Sequence, residues 1–148
     1  MCRRFCSERS QSLVEFSLII PILLLLILGT VDFAMGFKSY VELTNATREG
    51  ARYAVVGNPA GLYPTDCTGL DRGNVVSRVC KSAPDMTDDM TDVTVSYPNG
   101  STSGSSVVVT ADYRYDLITP LSSIVTLISG GEFPGYFDLS SRTDMRLE

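Results

Sequence analysis

The chain has 148 residues, carries a net charge of −5 at neutral pH and contains no histidine. This length allows one modest domain beside a long apolar segment, and an acidic balance without a basic patch excludes nucleic acid as an expected partner. The sequence has no Gly-rich phosphate loop and no Ser or Cys with a plausible base beside it, so neither catalysis nor a cofactor is expected. The composition is typical of a structural protein.

Residues 1–10 form a short basic leader. The first fourteen residues carry three arginines against one glutamate, whereas residues 58–148 carry six basic and twelve acidic residues. By the positive-inside rule the leader stays in the cytoplasm and the acidic region faces outward. Cys2 and Cys6 then lie on the reducing side, where free thiols are expected, and lipidation or zinc binding are weaker alternatives.

One long helix is predicted, organised around the stretch Leu13 to Val56, and its transmembrane half is assigned to residues 11–37. Phe16 to Val31 is uncharged over sixteen residues, which corresponds to about 24 Å of helix. The apolar neighbours on both sides lengthen this run enough to cross a bilayer. The condition is that Glu15 and Asp32, which flank the run, lie near the ends of the span or have partners.

Three residues of this half are candidates for a functional role. Pro21 removes one helical hydrogen bond, and it is either a hinge for repacking or a tolerated membrane proline. Asp32 is expected at the outer membrane interface, with a contact to another helix as the sharper alternative. A carboxylate such as Glu15 costs about 2.5–3.5 kcal/mol at mid-membrane, so it is either hydrated by lipid headgroups or placed opposite a cation.

Residues 38–57 are predicted to be the soluble half of the same helix, and Gly57 is a natural C-terminal stop. An inward stripe recurs at alternating steps of four and three residues. Its members are mostly small or aromatic: Phe33, Phe37, Tyr40, Thr44, Thr47, Ala51 and Ala54. Such a stripe allows another layer to approach closely.

Arg48, Glu49 and Arg52 are candidate docking residues on this half. Glu49 can pair with Arg52 at i,i+3, an interaction worth a few tenths of a kcal/mol. The three charges either dock on the sheet or on a neighbouring subunit, or they form an ordinary solvated helix face.

Residues 58–148 are expected to form an extracytoplasmic α+β domain. Residues 58–66 are rich in Gly and Pro and predict a loop, and residues 71–82 predict a short helix. Cys67 and Cys80 lie on the oxidising side, where a disulfide between them persists and contributes about 3 kcal/mol. Two buried thiols are the alternative, and a metal site is disfavoured because no histidine can complete it.

The acidic stretch 85–92 repeats the unit DMTD. Four carboxylates at such close spacing raise the question of calcium. The spacing does not match an EF-hand loop and lacks its glycine turn. A solvated acidic loop is therefore the better interpretation, with calcium binding left open.

Three strands and one further helix are predicted beyond this stretch. Alternation of Val93, Val95 and Tyr97 predicts a strand over 91–97. A second, longer strand is predicted over 107–117 and a final strand over 137–147, and Pro120 marks the start of a helix over 119–129. The first two strands are antiparallel because their connection is short. This small sheet has one face to cover, and the soluble half of the long helix is the obvious cover. The fold class is therefore α+β.

Two stretches of the sequence resemble the TadE-like minor pilins of the tight-adherence (Flp-type) pilus system. The first is RSQSLVEFSLIIPILLLLILGTVDF (Arg9 to Phe33), and the second is LTNATREGARYAVVGNP (Leu43 to Pro59). The ending RTDMRLE, Arg142 to Glu148, also fits the family. The combination of a Glu-Phe entry, a proline in the span, a Val-Asp-Phe exit and the Arg-Glu-Gly-Ala-Arg run is specific. No family motif is matched between Cys67 and Ser106.

This resemblance implies a pilin-like fold and a processed N-terminus. A prepilin peptidase would remove the leader between Ser10 and Gln11, and Ser10 stands where the family usually has Gly. Glu15 would then be fifth after the cut and would pair with the new terminal amine of its own or a neighbouring subunit, which sets the register of assembly. The implied partners are other pilin-like subunits, the pilus or secretion machinery, the peptidase and membrane lipid. The implied location is the bacterial cytoplasmic membrane, crossed once, with the N-terminus inside.

Three functions compete at this stage. The leading hypothesis is a minor pilin or pseudopilin in assembly of a tight-adherence pilus or related secretion machine. The second is a single-pass anchored outer domain that binds a partner and never polymerises. The third is a secreted protein whose residues 1–36 are a signal peptide, although the helical pattern runs straight through that cut. The N-terminal residue of the native protein separates them: Gln11, Met1 or Phe37, respectively.

Overall fold

The computed structural model describes residues 3–57, 67, 74–132 and 134–147, with side chains from residue 11 onward. Its elements follow in chain order: α1 (Arg3–Gly57), α2 (Val75–Ser82), a 3-10 turn (Pro84–Met86), β1 (Met90–Ser96), β2 (Ser106–Asp116), α3 (Leu121–Ile128) and β3 (Tyr136–Arg146). The α+β class, with a long N-terminal helix and a small antiparallel sheet, is confirmed.

The chain divides into two compact units. The first combines residues 1–34 with residues 117–135, and the second combines residues 35–116 with residues 136–148. Helix α1 contributes to both units, and its helical assignment continues without interruption past Pro21 and ends at Gly57. Pro21 therefore costs one hydrogen bond without ending the helix.

The sheet of the second unit has the strand order β1-β2-β3, and both pairs are antiparallel. Each strand begins and ends one residue earlier than the sequence pattern predicts. In β2 the odd-numbered side chains face the core, as the alternation requires: Val107, Val109, Ala111, Tyr113 and Tyr115 are all buried. The register of β1 shifts between Met90 and Asp92.

The soluble half of α1 covers the sheet, but through a different stripe from the one predicted. Its buried residues are Leu43, Ala46, Thr47, Gly50, Ala51 and Ala54. The prediction was right for Thr47, Ala51 and Ala54 and wrong for Phe33, Phe37 and Tyr40, whose side chains are exposed. The buried face also takes in Leu43, Ala46 and Gly50, each one residue before a member of the predicted stripe.

Helix α2 begins at Val75 because Asn74 caps it. The Ser77 backbone N–H donates to Asn74 Oδ1 at 2.7 Å, and the Asn74 N–H donates to Ser77 Oγ at 3.2 Å, which forms a capping box. The predicted start near Asp71 lies outside the described residues. The predicted short helix is observed here, and Val75, Val76, Val79 and Cys80 are among its buried residues.

Helix α3 belongs to the first unit, where residues 117–135 form a closed hairpin-like segment. The Leu117 N–H donates to the Gly135 carbonyl at 3.2 Å, which joins the two ends of this segment. Gly131 follows the helix with φ 96° and donates its N–H to the Thr126 carbonyl at 2.9 Å. The start near Pro120 is confirmed, but no residue of α3 is fully buried and Ile128 is exposed.

Candidate assembly and membrane-contact surfaces

The N-terminal half of α1 presents an apolar surface that its own chain leaves largely uncovered. Its most apolar 18-residue stretch has a mean hydropathy of 2.5, and among the described residues α1 is the one helix long and apolar enough to cross a membrane. Exposed large side chains occur on all its sides, as the sequence pattern predicts. They include Leu13, Phe16, Leu18, Ile22, Leu23, Leu26, Ile27, Phe33 and Phe37. A contiguous apolar surface of this kind requires lipid or other protein around it.

Glu15 lies on this exposed surface, one helical turn after Gln11. The Gln11 amide donates to Glu15 Oε1 at 3.5 Å, an i,i+4 contact at the long limit of a hydrogen bond. The bond between Ser10 and Gln11, the predicted cleavage point, lies within α1. The assembly role of Glu15 and the processing of Ser10 and Gln11 remain predictions.

Asp32 is a buried carboxylate, with 6% of its surface exposed. It accepts hydrogen bonds from the backbone N–H groups of Ile118 at 3.2 Å and Thr119 at 3.1 Å, and from the Thr119 hydroxyl. The Thr119 oxygen in turn accepts the N–H of Leu121 at 3.3 Å, at the start of α3. Asp32 therefore orders the turn that begins α3, a role that neither of the sequence interpretations for this residue included.

Glu49 docks α1 onto α2 rather than onto the sheet. Arg78 donates to Glu49 Oε1 through Nη2 at 2.6 Å and through Nε at 3.1 Å. This hydrogen bonding holds the pKa of Glu49 below its ordinary value of 4.5, and the nearby charge of Arg52 acts in the same direction to a smaller extent. The predicted partner Arg52 thus contributes charge, while the hydrogen bonds come from Arg78. Arg48 and Arg52 are exposed.

Two features of the α1 face were missed at the level of sequence. Thr47 is fully buried, and its hydroxyl lies 3.1 Å from both Ser141 Oγ and Thr143 Oγ1 of β3. Gly50 lies so close to α2 that an added Cβ would come within 2.3 Å of Val79 Cγ2. Thr47 was predicted as a member of the inward stripe, but its hydroxyl contacts with β3 were not. Gly50 was not recognised because an apolar-periodicity search ranks Gly low.

Cys67 and Cys80 form a disulfide with a Cα–Cα distance of 5.7 Å, and it ties Cys67 to α2. This separation is the usual one for such a bond.

The acidic stretch 85–92 leaves Asp85, Asp88 and Asp89 exposed. Within the part of the chain that the structure describes, no group of three or more ligating side chains is placed to hold a metal ion.

Helix α1 thus combines an exposed apolar half with a second half that covers a small antiparallel sheet. Residues 11–52 match the family described as TadE-like protein. The resemblance read from the sequence is thereby confirmed over this segment, which contains Glu15, Asp32 and Glu49. Comparisons with curated proteins and with solved structures gave no match.

Proposed function

We propose that this chain is a minor pilin or pseudopilin that acts in assembly of a tight-adherence (Flp-type) pilus or a related secretion machine. The observation that carries the proposal is the coincidence of the TadE-like match with the exposed apolar half of α1 and the first part of its sheet-covering half. The TadE-like family is structural, and the protein accordingly acts by contact with other subunits rather than by catalysis.

In this proposal the bilayer and neighbouring subunits share the apolar surface of α1. Residues 11–37 cross the bacterial cytoplasmic membrane once, the leader of residues 1–10 stays inside, and residues 58–148 lie outside. The positive-inside rule supports this orientation, and the Cys67–Cys80 disulfide suits an oxidising compartment. Other pilin-like helices pack side by side with α1 in the membrane and in the filament.

Glu15 gives this packing its register. A prepilin peptidase cuts between Ser10 and Gln11, and the new terminal amine, of the same or a neighbouring subunit, pairs with the Glu15 carboxylate. Glu15 is exposed, so its carboxylate is accessible to such a partner. An ion pair in a medium of low dielectric constant is strong and tolerates little displacement, so it fixes one helix against the next.

The first experiment is N-terminal sequencing of the native protein, extracted from the membrane fraction of cells that assemble the pilus. The expected first residue is Gln11. A start at Phe37 would identify a secreted protein and refute the proposal, and an intact Met1 would leave a plain membrane anchor.

The second experiment separates a polymerising subunit from an anchored binding domain. Glu15→Ala is expected to abolish co-purification with the other pilin-like subunits of the same cell, whereas Glu42→Ala, on the soluble half of the same helix, leaves it intact. Membrane extraction and the disulfide serve as controls for insertion and folding. Unchanged co-purification of the Glu15→Ala protein would remove the register role and favour the anchored domain.

A further inference from the structure

The segment formed by residues 117–135, here termed the α3 hairpin, differs chemically from the rest of the outer region. It contains no charged residue from Leu117 to Gly131, and Glu132 is its single charge. Residues 58–116 and 136–148, by contrast, carry six basic and eleven acidic residues. An uncharged segment in a strongly charged region requires a physical reason.

The α3 hairpin also exposes large aliphatic side chains. Leu127 is 84% exposed, Ile128 78% and Ile118 64%, values that equal or exceed those of most side chains on the apolar half of α1. Single exposed aliphatic side chains are ordinary on protein surfaces, but three on one short uncharged segment are a concentration of exposed apolar surface, here called the patch. Contact of this patch with water would be unfavourable in free energy.

The location of the hairpin explains the patch. Its second and third residues, Ile118 and Thr119, donate their backbone N–H groups to the Asp32 carboxylate. Asp32 is the first charged residue after the uncharged run of Phe16 to Val31. The outer boundary of the hydrocarbon core is therefore expected near Asp32. A boundary at Phe37, the end of the predicted transmembrane half, would lie only about 8 Å further along the helix. This distance is within the depth of about 5–10 Å at which amphipathic segments enter the interface.

We propose that the α3 hairpin is a lipid-contact element that lies in the outer interface of the membrane crossed by α1, with Asp32 as its tether. Leu127, Ile128 and Ile118 enter the headgroup–acyl boundary, where the absence of charge from Leu117 to Gly131 avoids the cost of desolvating an ion. The carboxylate and the backbone N–H groups satisfy each other, so a polar contact persists at this depth without unpaired groups. This inference rests on the proposed membrane span of α1.

The test uses the full chain, with Cys2→Ser and Cys6→Ser, reconstituted in phosphatidylcholine vesicles. A polarity-sensitive NBD fluorophore is attached to one introduced cysteine at a time, without reduction of the native disulfide. Leu127→Cys reports on the hairpin, Ser101→Cys on an exposed turn of the other unit, and Leu24→Cys on the centre of the span. Lipids that carry a nitroxide at a shallow or a deep acyl position then measure the depth of each probe.

Shallow quenching of the Leu127→Cys probe is expected to exceed that of the Ser101→Cys probe several-fold, with emission shifted to the blue. Asp32→Ala is expected to lower the quenching at position 127 without changing the deep quenching at position 24. Equal, weak quenching at positions 127 and 101 would overturn the inference. A blue-shifted emission at position 127 that is lost when the protein is diluted in lipid would also overturn it, because the probe would then contact a second copy of the chain. Loss of deep quenching at position 24 would instead refute the membrane span itself.

Discussion

Gly50→Ala tests the closest approach of α1 to α2. A Cβ at this position would lie 2.3 Å from Val79 Cγ2, and 3.7 Å from a methyl carbon each of Val75 and Val109. Real Cβ atoms are not found at the first of these distances. Val79 is fully buried and β-branched, so its side chain has one strongly preferred rotamer in a helix.

The expected change in the free energy of unfolding is the difference between two opposing effects. Glycine in a helix interior costs about 1 kcal/mol relative to alanine, so the substitution would stabilise an exposed site by that amount. Overpacking of a well-filled core costs about 1–3 kcal/mol, and this close contact falls in the upper part of that range. We therefore expect Gly50→Ala to lower the free energy of unfolding by about 1–2 kcal/mol, which is opposite in sign to the change that helix propensity alone predicts.

The assay is urea unfolding of the full chain in detergent micelles, followed by the near-UV signal of the tyrosines, among them the buried Tyr113 and Tyr115. Gly29→Ala, on the same helix, is the matched control, because an added Cβ there meets no atom within 4 Å. In the double variant Gly50→Ala/Val79→Ala the new methyl group occupies vacated space, so the loss should be smaller than the sum of the single losses. A Gly50→Ala protein as stable as the wild type, or additive losses in the double variant, would refute the close packing.

Three further predictions concern contacts of the same unit. Glu49→Gln removes the ion pair with Arg78. Because folding lowers the pKa of Glu49, the stabilisation that this ion pair gives the folded protein is present above the ordinary pKa of 4.5 and is lost as pH falls through the folded-state pKa. Wild type and variant should therefore differ in urea midpoint at neutral pH and converge in acid, and a constant difference would contradict this. Reduction of Cys67–Cys80 should lower the free energy of unfolding by about 3 kcal/mol, and a protein with serine at both positions should not respond to reductant. Thr47→Val keeps the side-chain shape but removes the buried hydroxyl, so a loss of about 1 kcal/mol is expected, measured by the same titration; no loss would mean that the hydroxyl contacts with β3 are not stabilising.

The sequence predicted those elements whose signals are local. β2 was recognised because Val, Ala and Tyr alternate over eleven residues between two loop-forming stretches, and its bounds were wrong by one residue at each end. The apolar run of α1 needs no tertiary information, since its composition alone indicates lipid or protein surroundings. The end of α1 at Gly57 and the start of α3 near Pro120 follow from backbone restrictions that act within a few residues.

Contacts between distant residues could not be predicted in this way. Glu49 has a possible partner three residues away in Arg52, yet its hydrogen bonds come from Arg78, 29 residues away. The carboxylate of Asp32 is satisfied by the backbone of Ile118, 86 residues away. Backbone N–H groups occur at every non-proline residue and carry no sequence signal, so a search for charged partners cannot find such a contact.

The packing of α1 restricts where a neighbouring subunit can bind. The small residues of the predicted stripe, among them Thr47, Ala51 and Ala54, suggested a surface open to another layer, but the chain's own sheet and α2 already bury that surface. A neighbouring helix cannot use it without displacing the core. Docking through this half is therefore left to exposed side chains such as Arg48 and Arg52, whereas the apolar half presents Leu18, Ile22 and their neighbours uncovered. Under the proposed role in pilus assembly, extensive helix-to-helix contact is accordingly expected along the apolar half of α1, where Glu15 lies.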